Sequence, residues 1–343
     1  MRAWQIHQLG EPRDALRLAE IPDPEPALGQ VLVRVLGAAA NFPDVLMCQG
    51  SYQVRPPLPF TPGLELCGEV VSVGSSVTGV AVGDRVIGGP ALPSGAYAEL
   101  ALMNAGAVLP APEGLDDAEA AAFFITYQTG WFGLHRRARL AAGETLLVQA
   151  AAGGVGSGAI QLGKAAGARV IAVAGGPEKG ALCASLGADL VIDHTAEDFV
   201  EAVLVATGDA GADVVYDLTG GDFVERSWRC TAHGGRYLAV GFADDDANGM
   251  TGRPLRMACI GNIDIVAVMV AWADSVDPGM RRFGFNPFGR DVADEIHADL
   301  LRLAAAGDIR PAVGRRVSME DAGRALDEHE ARRSVGRTVV VVQ

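Results

Sequence analysis

Ala151-Ala-Gly-Gly-Val-Gly156 follows an apolar run and opens directly into a helical pattern, and its spacing suits a diphosphate. It has the G-x-G-x-x-G form with alanine at the first position. Gly153, lacking a Cβ, lets the backbone approach a pyrophosphate. Gly156 lets the helix pack close to the preceding strand, and the helix N-terminus offers unpaired N–H groups with a partial positive charge. A glycine turn that binds nothing is the competing reading. Against it stands the position between a clear strand and a clear helix, with a second strand following at the right distance. A carboxylate that holds a ribose 2′-hydroxyl is expected about 20 residues further on. Here that strand ends instead in Ala174-Gly175-Gly176, and Lys179 follows within the next turn. A 2′-phosphate would meet small residues and a cation, which favours NADPH over NADH. The alternative is an ordinary surface lysine on a helix N-terminal turn, and Glu178 beside it is a mild objection.

The elements that must position these residues form two textures. From Glu144 onward, 145–150, 169–174, 190–194, 212–217, 235–242 and 263–270 read as strands. Helical patterns lie between them over 155–166, 177–186, 197–207 and 223–230. Six strands with intervening helices predict an α/β unit, a parallel sheet covered on both faces and doubly wound by right-handed crossovers. The first third is different. Short strands over 30–38, 66–73, 83–87 and 96–102 are separated by clustered glycine and proline, which suggests a small barrel or curled sheet. An alanine-rich helix begins over 116–124. The tail predicts helices at 291–306 and 320–331 and a last strand at 338–342.

Composition narrows the function. Acidic residues outnumber basic ones 42 to 28 in 343 residues, a formal charge of -14, and only Lys164 and Lys179 are lysines. Phosphate-backbone and anionic-membrane partners need clustered basic surface, so no nucleic acid and no membrane partner is expected. The five cysteines include no C-x-x-C pair, so neither a disulfide framework nor a zinc ribbon is suggested. The N-terminus lacks the apolar core of a signal peptide, and no apolar run is long enough to span a bilayer, so a cytoplasmic setting is expected. Asp244-Asp245-Asp246 reads as a solvated loop in preference to a metal site.

The ordered motifs Asn41-Phe-Pro-Asp44, Gly50-Ser-Tyr52, Pro62-Gly-Leu-Glu-Leu-Cys-Gly68, Val82-Gly-Asp-Arg-Val86, the glycine turn at 151–156, Leu186-Gly-Ala-Asp189, Gly241-Phe242 and Gly336-Arg-Thr-Val339 cover nearly the whole chain. With them the chain resembles the zinc-independent NADPH:quinone oxidoreductase group of the medium-chain dehydrogenase/reductase superfamily. The resemblance implies a Rossmann sheet plus a GroES-like β-barrel, divided as 1–124, 125–271 and 272–343, with the last segment completing the barrel domain. It implies reduction of a quinone or related conjugated carbonyl acceptor, with C=C reduction of an enoyl thioester or enone on the same scaffold as the runner-up. A cofactor-binding sensor without turnover is a rival from another class. Zinc relatives carry a histidine where Leu64 stands and an early cysteine that Asn41-Phe-Pro-Asp44 lacks, so no metal site is expected.

Carried over residue by residue, the resemblance places Asn41 and Thr126 near the nicotinamide and Gly153, Gly154 and Val155 at the pyrophosphate. It places Gly175 and Lys179 at the 2′-phosphate ribose with His194 nearby. Gly241 and Phe242 would flank the nicotinamide, with Arg332 reaching over from the C-terminal helix. Tyr52 and Asn41 are the side-chain candidates for donating to a developing oxyanion, beside a cofactor ribose hydroxyl or a backbone N–H. Each has a plainer reading. Asn41 could cap a helix, Asp44 reads better as an N-cap than as a catalytic acid, and Tyr52 and Phe242 could be packing. A homodimer through the last Rossmann strand, 263–270, would cover an apolar sheet edge.

Overall fold

A computed structural model describes residues 1–244, 255–273 and 275–342. The chain opens with a small hairpin, β1 (Arg2–Ile6) and β2 (Leu16–Glu20), bridged by the single turn α1 (Pro12–Ala15). The first barrel strand is β3 (Gln30–Ala39). Val31, Val33 and Val35 point to the core while Arg34 is exposed, the period of a half-buried antiparallel strand. Helix α2 (Phe42–Gln49) comes next, then β4 (Leu66–Val73), β5 (Arg85–Gly88), β6 (Leu100–Asn104) and β7 (Leu109–Pro110).

Helices α3 (Asp117–Ala121) and α4 (Phe124–Trp131) lead out of the barrel. The parallel unit then runs β8 (Thr145–Val148), α5 (Gly154–Ala165), β9 (Arg169–Ala174), α6 (Pro177–Ser185), β10 (Leu190–Asp193), α7 (Phe199–Thr207), β11 (Ala212–Asp217), α8 (Phe223–Arg229), β12 (Thr231–Ala239), α9 (Arg256–Gly261) and β13 (Asp264–Ala267). The tail adds α10 (Pro278–Arg282), α11 (Arg290–Ala306), β14 (Val313–Ser318), α12 (Ala322–Glu330) and β15 (Arg337–Val341).

The six Rossmann strands are all parallel, in the order β10-β9-β8-β11-β12-β13. Strand order reverses between β8 and β11, and the crevice at that switch point is where open α/β sheets take ligands. β8 and β9 are buried along nearly their whole length, as a sheet covered on both faces requires. The second sheet has the order β14-β15-β3-β4-β5-β7, with β6 also on β3. β15 lies antiparallel on β3, pairing Val339 with Ala39, so a strand of the tail joins this sheet.

Several elements depart from the expected pattern for identifiable reasons. The helix expected over 116–124 is broken, because the Ile125 N–H donates to the Glu65 carboxylate at 2.7 Å and not to the preceding turn. The strand expected over 96–102 begins at Leu100. The N–H groups of Gly95, Ala96 and Tyr97 are taken by the carbonyls of Thr61, Gly63 and Pro62. The strand expected over 235–242 starts at Thr231 and ends at Ala239, where Val240 and Gly241 turn their N–H groups to the Asp217 carbonyl. Its neighbour β13 stops with it, at the Ala239–Ala267 register pair. Helix α2 is an addition to the expected elements. Asn41 is its N-cap and Asp44 its third residue in a reciprocal capping box, which corrects the reading of Asp44 as the N-cap. Asp245 and Asp246 of the acidic trio lie outside the described residues.

Candidate cofactor cleft and active site

The glycine turn sits at the carboxyl end of β8. Gly153 is the N-cap of α5 and supplies no side-chain cap, and the first intrahelical bond runs from the Ser157 N–H to the Gly153 carbonyl at 2.9 Å. The N–H groups of Gly154, Val155 and Gly156 precede that bond and have no intrahelical acceptor. A Cβ on Gly156 would lie 2.9 Å from the Ala151 Cα and closer still to the Ala150 carbonyl oxygen, so only glycine lets α5 sit this close to the strand. A Cβ on Gly154 would lie 2.7 Å from the Arg337 Cδ and closer still to its guanidinium, a close approach from the tail. The cradle therefore fits a pyrophosphate: open backbone, free donors and no acid among its lining residues.

At the end of β9, Gly175 packs under His194, whose Nε2 would lie 3.1 Å from a Cβ there. Gly176 has φ +86 and turns the chain into α6, with Pro177 at its start. The His194 ring is exposed and meets Phe223 edge-on at 5.5 Å. The region holds one carboxylate that the spacing argument overlooked. Asp193 ends β10 and stands in register beside Ala174. Its Oδ1 accepts from the Thr195 N–H and hydroxyl at 3.0 and 2.6 Å, and these bonds, with one from Gly176, hold it below the ordinary range. It is thus spent on the turn. The Lys179 ammonium donates to the Arg332 carbonyl at 2.8 Å, which places both residues on the same rim.

Arg332 lies just past the end of α12 and extends to the loop after β12. Its Nη2 donates to the Ala243 carbonyl at 3.0 Å and its Nη1 pairs with Asp244. Gly241 lies against the turn that follows β11, where a Cβ would be 2.7 Å from the Leu218 carbonyl, and Phe242 is partly exposed. That turn is built by Asp217. Its Oδ1 accepts from the Thr219 and Gly220 N–H groups at 2.7 and 3.1 Å, and its Oδ2 from the Tyr237 hydroxyl at 2.5 Å. Burial raises the Asp217 carboxyl against the pull of these donors. A carboxylate ending an apolar strand before Thr-Gly-Gly was the available signal for this turn.

On the barrel side lies a buried polar network. Asn41 is 4% exposed. Its amide donates to the Ala39 carbonyl at 3.0 Å and to Glu65 Oε2 at 3.2 Å, and its Oδ1 accepts from Arg337 at 2.9 Å. Both amide hydrogens are committed, so in this arrangement Asn41 orders this network and does not present a free donor. Glu65 is fully buried and pairs with Arg337, which is 3% exposed at the side chain. Burial raises the Glu65 carboxyl, with Arg337 the strongest opposing influence. Asp44 accepts from the Asn41 N–H at 2.9 Å and the Tyr97 hydroxyl at 2.8 Å through Oδ2, while its buried Oδ1 has no partner. Burial pushes its carboxyl up to about 7. Neither the Glu65–Arg337 pair nor Tyr97 was singled out from sequence, since residues so far apart carry no spacing signal.

Thr126, on α4, is buried with its hydroxyl unpartnered, and its methyl would meet a Cβ on Gly158 of α5 at 2.6 Å. It stands where the two domains meet, with a polar group in reserve. Tyr52 follows α2. Its ring packs on the barrel core, and its hydroxyl has no hydrogen-bond partner among the described residues. Burial raises it above the usual phenol range, so it is a protonated donor. No group of three or more His, Cys, Asp or Glu side chains able to hold a metal ion occurs among the described residues.

A doubly wound sheet with a glycine-rich phosphate cradle at its switch point, joined to a barrel domain, is the architecture of a dinucleotide-dependent oxidoreductase. The comparisons with known proteins agree. Residues 27–113 match the alcohol dehydrogenase GroES-like domain and residues 154–278 the zinc-binding dehydrogenase family. A quinone oxidoreductase of Rattus norvegicus is 34% identical over 241 residues, 70% of this chain and 73% of that one. The solved structure of Escherichia coli quinone oxidoreductase complexed with NADPH has 29% identity and a TM-score of 0.86, covering 99% of this chain and 100% of that chain. A phenolphthiocerol/phthiocerol polyketide synthase chain of Mycobacterium tuberculosis is 37% identical over 248 residues, 72% of this chain but only 11% of that protein. The chain belongs to the quinone oxidoreductase-like family of medium-chain dehydrogenases/reductases.

Proposed function

We propose that the protein is an NADPH-dependent reductase of a quinone or related conjugated carbonyl acceptor and works without zinc. The observation that carries the cofactor is the rim of the β9 end: Ala174, Gly175 and Gly176 leave room, Lys179 supplies charge, and no carboxylate ends β9 itself, while Asp193 of β10 is engaged by the N–H groups of Gly176 and Thr195. The Escherichia coli relative solved with NADPH supports it. When bound, NADPH supplies a hydride to the acceptor. The chain's own residues hold and orient. Gly153, Gly154 and Val155 receive the pyrophosphate on free N–H groups at the start of α5, and Gly175, Lys179 and His194 surround the 2′-phosphate ribose. Thr126, with its unpartnered hydroxyl, takes the nicotinamide end, flanked by Gly241 and Phe242. Asn41 fixes the barrel wall against that end, and Arg332 covers the cleft.

The acceptor lies between the nicotinamide end and the barrel, and its carbonyl oxygen gathers negative charge as the hydride adds. A donor aimed there lowers the barrier. Tyr52 is the proposed donor, since its hydroxyl is protonated and uncommitted while the Asn41 amide is occupied. With Leu64 where zinc relatives hold a histidine and no cysteine in Asn41-Phe-Pro-Asp44, this reading assigns no step to a metal. The division 1–124, 125–271 and 272–343 and assembly as a homodimer belong to the same reading. So does a cytoplasmic setting, for which the support is that no helix among the described residues is long and apolar enough to cross a membrane. The likeness to a polyketide synthase supports a second reading, C=C reduction of an enoyl thioester.

One experiment separates these. kcat/KM is measured with NADPH over a panel of quinones, enones and enoyl thioesters, for the parent and Tyr52→Phe, on protein whose metal content is determined. A quinone or enone preference, with Tyr52→Phe lowering kcat about a hundredfold and leaving the NADPH Kd unchanged, is the expected result. A thioester preference selects the second reading. Full kcat for Tyr52→Phe on every acceptor removes Tyr52 from the chemistry, one equivalent of zinc lost together with activity overturns the zinc-free assignment, and no turnover of any acceptor favours a sensor.

A further inference from the structure

Lys179, Arg332 and Asp244 form a bar across the carboxyl edge of the Rossmann sheet. Lys179 is in the first turn after β9, and Asp244 lies in the loop after β12. Between those strands stand β8 and β11, which border the switch-point crevice. Arg332 spans the gap. Its carbonyl accepts from Lys179, while its guanidinium bonds the Ala243 carbonyl and pairs with Asp244. Both ends are held. Arg332 takes the left-handed backbone, φ 56, just past α12, and the same tail segment is tied to the glycine turn by the Gly336 N–H to the Ala152 carbonyl at 3.1 Å. The Asp244 N–H bonds the Thr219 carbonyl at 2.8 Å, and its Cβ would lie 2.9 Å from one on Gly221, so the carboxylate is seated against the β11 turn.

We propose that Asp244 competes with a phosphate of the dinucleotide for Arg332 and so sets how tightly the cofactor is held. The inference rests on the cofactor reading above and adds a residue to it. A guanidinium over a phosphate path is a fork for two oxygens of an anion. In this structure a side chain of the protein, Asp244, supplies that anion. The Arg332 side chain is 58% exposed and that of Asp244 26%, so the pair is in contact with solvent and exchanges at little cost. The 2′-phosphate, a monoester, carries more charge than one carboxylate, and the pyrophosphate as a whole carries two charges, so either can displace it. Asp244 then exacts a constant discount on cofactor affinity and returns as the neutralising partner when the cofactor leaves.

The test is binding to the full chain, read by NADPH and NADH fluorescence and, for fragments, by calorimetry with 2′,5′-ADP and ADP. Asp244→Asn is expected to lower the NADPH Kd about twofold to fivefold, the scale of an exposed ion pair. Arg332→Ala is expected to raise it, and Asp244→Asn added to Arg332→Ala is expected to change nothing further. Tightening of NADPH and 2′,5′-ADP alone assigns the competition to the 2′-phosphate, whereas equal tightening of NADH and ADP assigns it to the pyrophosphate. Unchanged or weaker binding in Asp244→Asn overturns the proposal, and so does equal tightening in the Arg332→Ala background, which is a general field effect. Parent protein that binds neither NADPH nor NADH removes the cofactor reading and this inference with it, whereas tight parent binding with an inert Asp244 removes the inference alone.

Discussion

Asp44 makes stability depend on pH in a direction opposite to most carboxylates. It is fully buried, one oxygen is satisfied by the Asn41 N–H and the Tyr97 hydroxyl, and the other touches no donor. Burial is the largest influence and outweighs both donors and the attraction of Arg337, lifting the carboxyl from 3.8 to about 7. Between those two values the folded chain keeps the proton while the unfolded chain releases it. The folded state binds more protons, so stability falls as pH rises through this window and is flat above about pH 7. Each tenfold change in proton affinity is worth about 1.4 kcal/mol, so ionising Asp44 in place costs roughly 4 kcal/mol in all. About 3 kcal/mol of that falls between pH 5 and pH 8.

Asp44→Asn removes the proton equilibrium and keeps an oxygen for the same two donors. Its amide nitrogen enters the partnerless position, a pH-independent cost of about 1–3 kcal/mol. The variant is therefore compared with the parent at both ends of the window. Relative to the parent it should gain about 3 kcal/mol on going from pH 5 to pH 8. For a chain of this length that corresponds to roughly 4 °C in relative Tm, from about 2.1 cal/mol/K of unfolding entropy per residue. Differential scanning fluorimetry of both proteins in matched ionic strength reads this directly, and differences due to other titrating groups cancel. A gap between the two melting curves that stays constant from pH 5 to pH 8 would refute a raised Asp44.

Three other expectations follow from the same geometry. Arg337→Met leaves Glu65 buried without its countercharge and should cost about 3–5 kcal/mol in denaturant unfolding, most of it regained when Glu65→Gln is added. Lys179→Ala should weaken NADPH by more than NADH in equilibrium titration, and equal losses would detach Lys179 from the 2′-phosphate. Among the described residues the edge strand β13 pairs only with β12, and its Ile265 and the nearby Ile260 and Met269 are exposed. Light scattering at micromolar concentration should accordingly show a dimer, and Ile265→Lys should shift it to monomer.

What could be read from the sequence is what local pattern encodes. All six Rossmann strands, their order-reversing crossovers and the glycine cradle follow from apolar runs, helical periodicity and the backbone freedom of Gly153 and Gly156. Strand ends were misplaced where a tertiary acceptor outbid the ladder, as at Val240 and Gly241, whose N–H groups go to Asp217. The break between α3 and α4 was illegible for the same reason, because its cause is Glu65, 60 residues away. β14, Val313-Gly-Arg-Arg-Val-Ser318, was missed because two arginines interrupt its apolar alternation. In the site, residues that offer backbone were legible, while those that act through long-range bonds, Glu65, Arg337, Tyr97 and Asp217, were not.

The Glu65–Arg337 pair shows why such residues belong to the site. Replacing a buried ion pair with apolar side chains of similar volume is often neutral or stabilising, so stability alone does not account for placing two charges there. The pair supplies direction. Glu65, just before β4, takes the N–H of Ile125, the second residue of α4 and the neighbour of Thr126, and so fixes the entry to that helix. Arg337, the first residue of β15, takes Asn41 and thereby the start of α2, while its stem lies against Gly154 in the phosphate cradle. A single network thus fixes the barrel wall, the entry to α4 and the glycine turn relative to one another. Apolar packing could fill the same space but would leave each backbone segment free to slide by fractions of an ångström. Hydride transfer is sensitive to displacements of that size, since a misplacement of about 1 Å costs on the order of a hundredfold in rate. Under the proposed function, with the acceptor on the barrel and the cofactor on the parallel-sheet unit, Glu65 and Arg337 would be positioning residues that keep the two aligned.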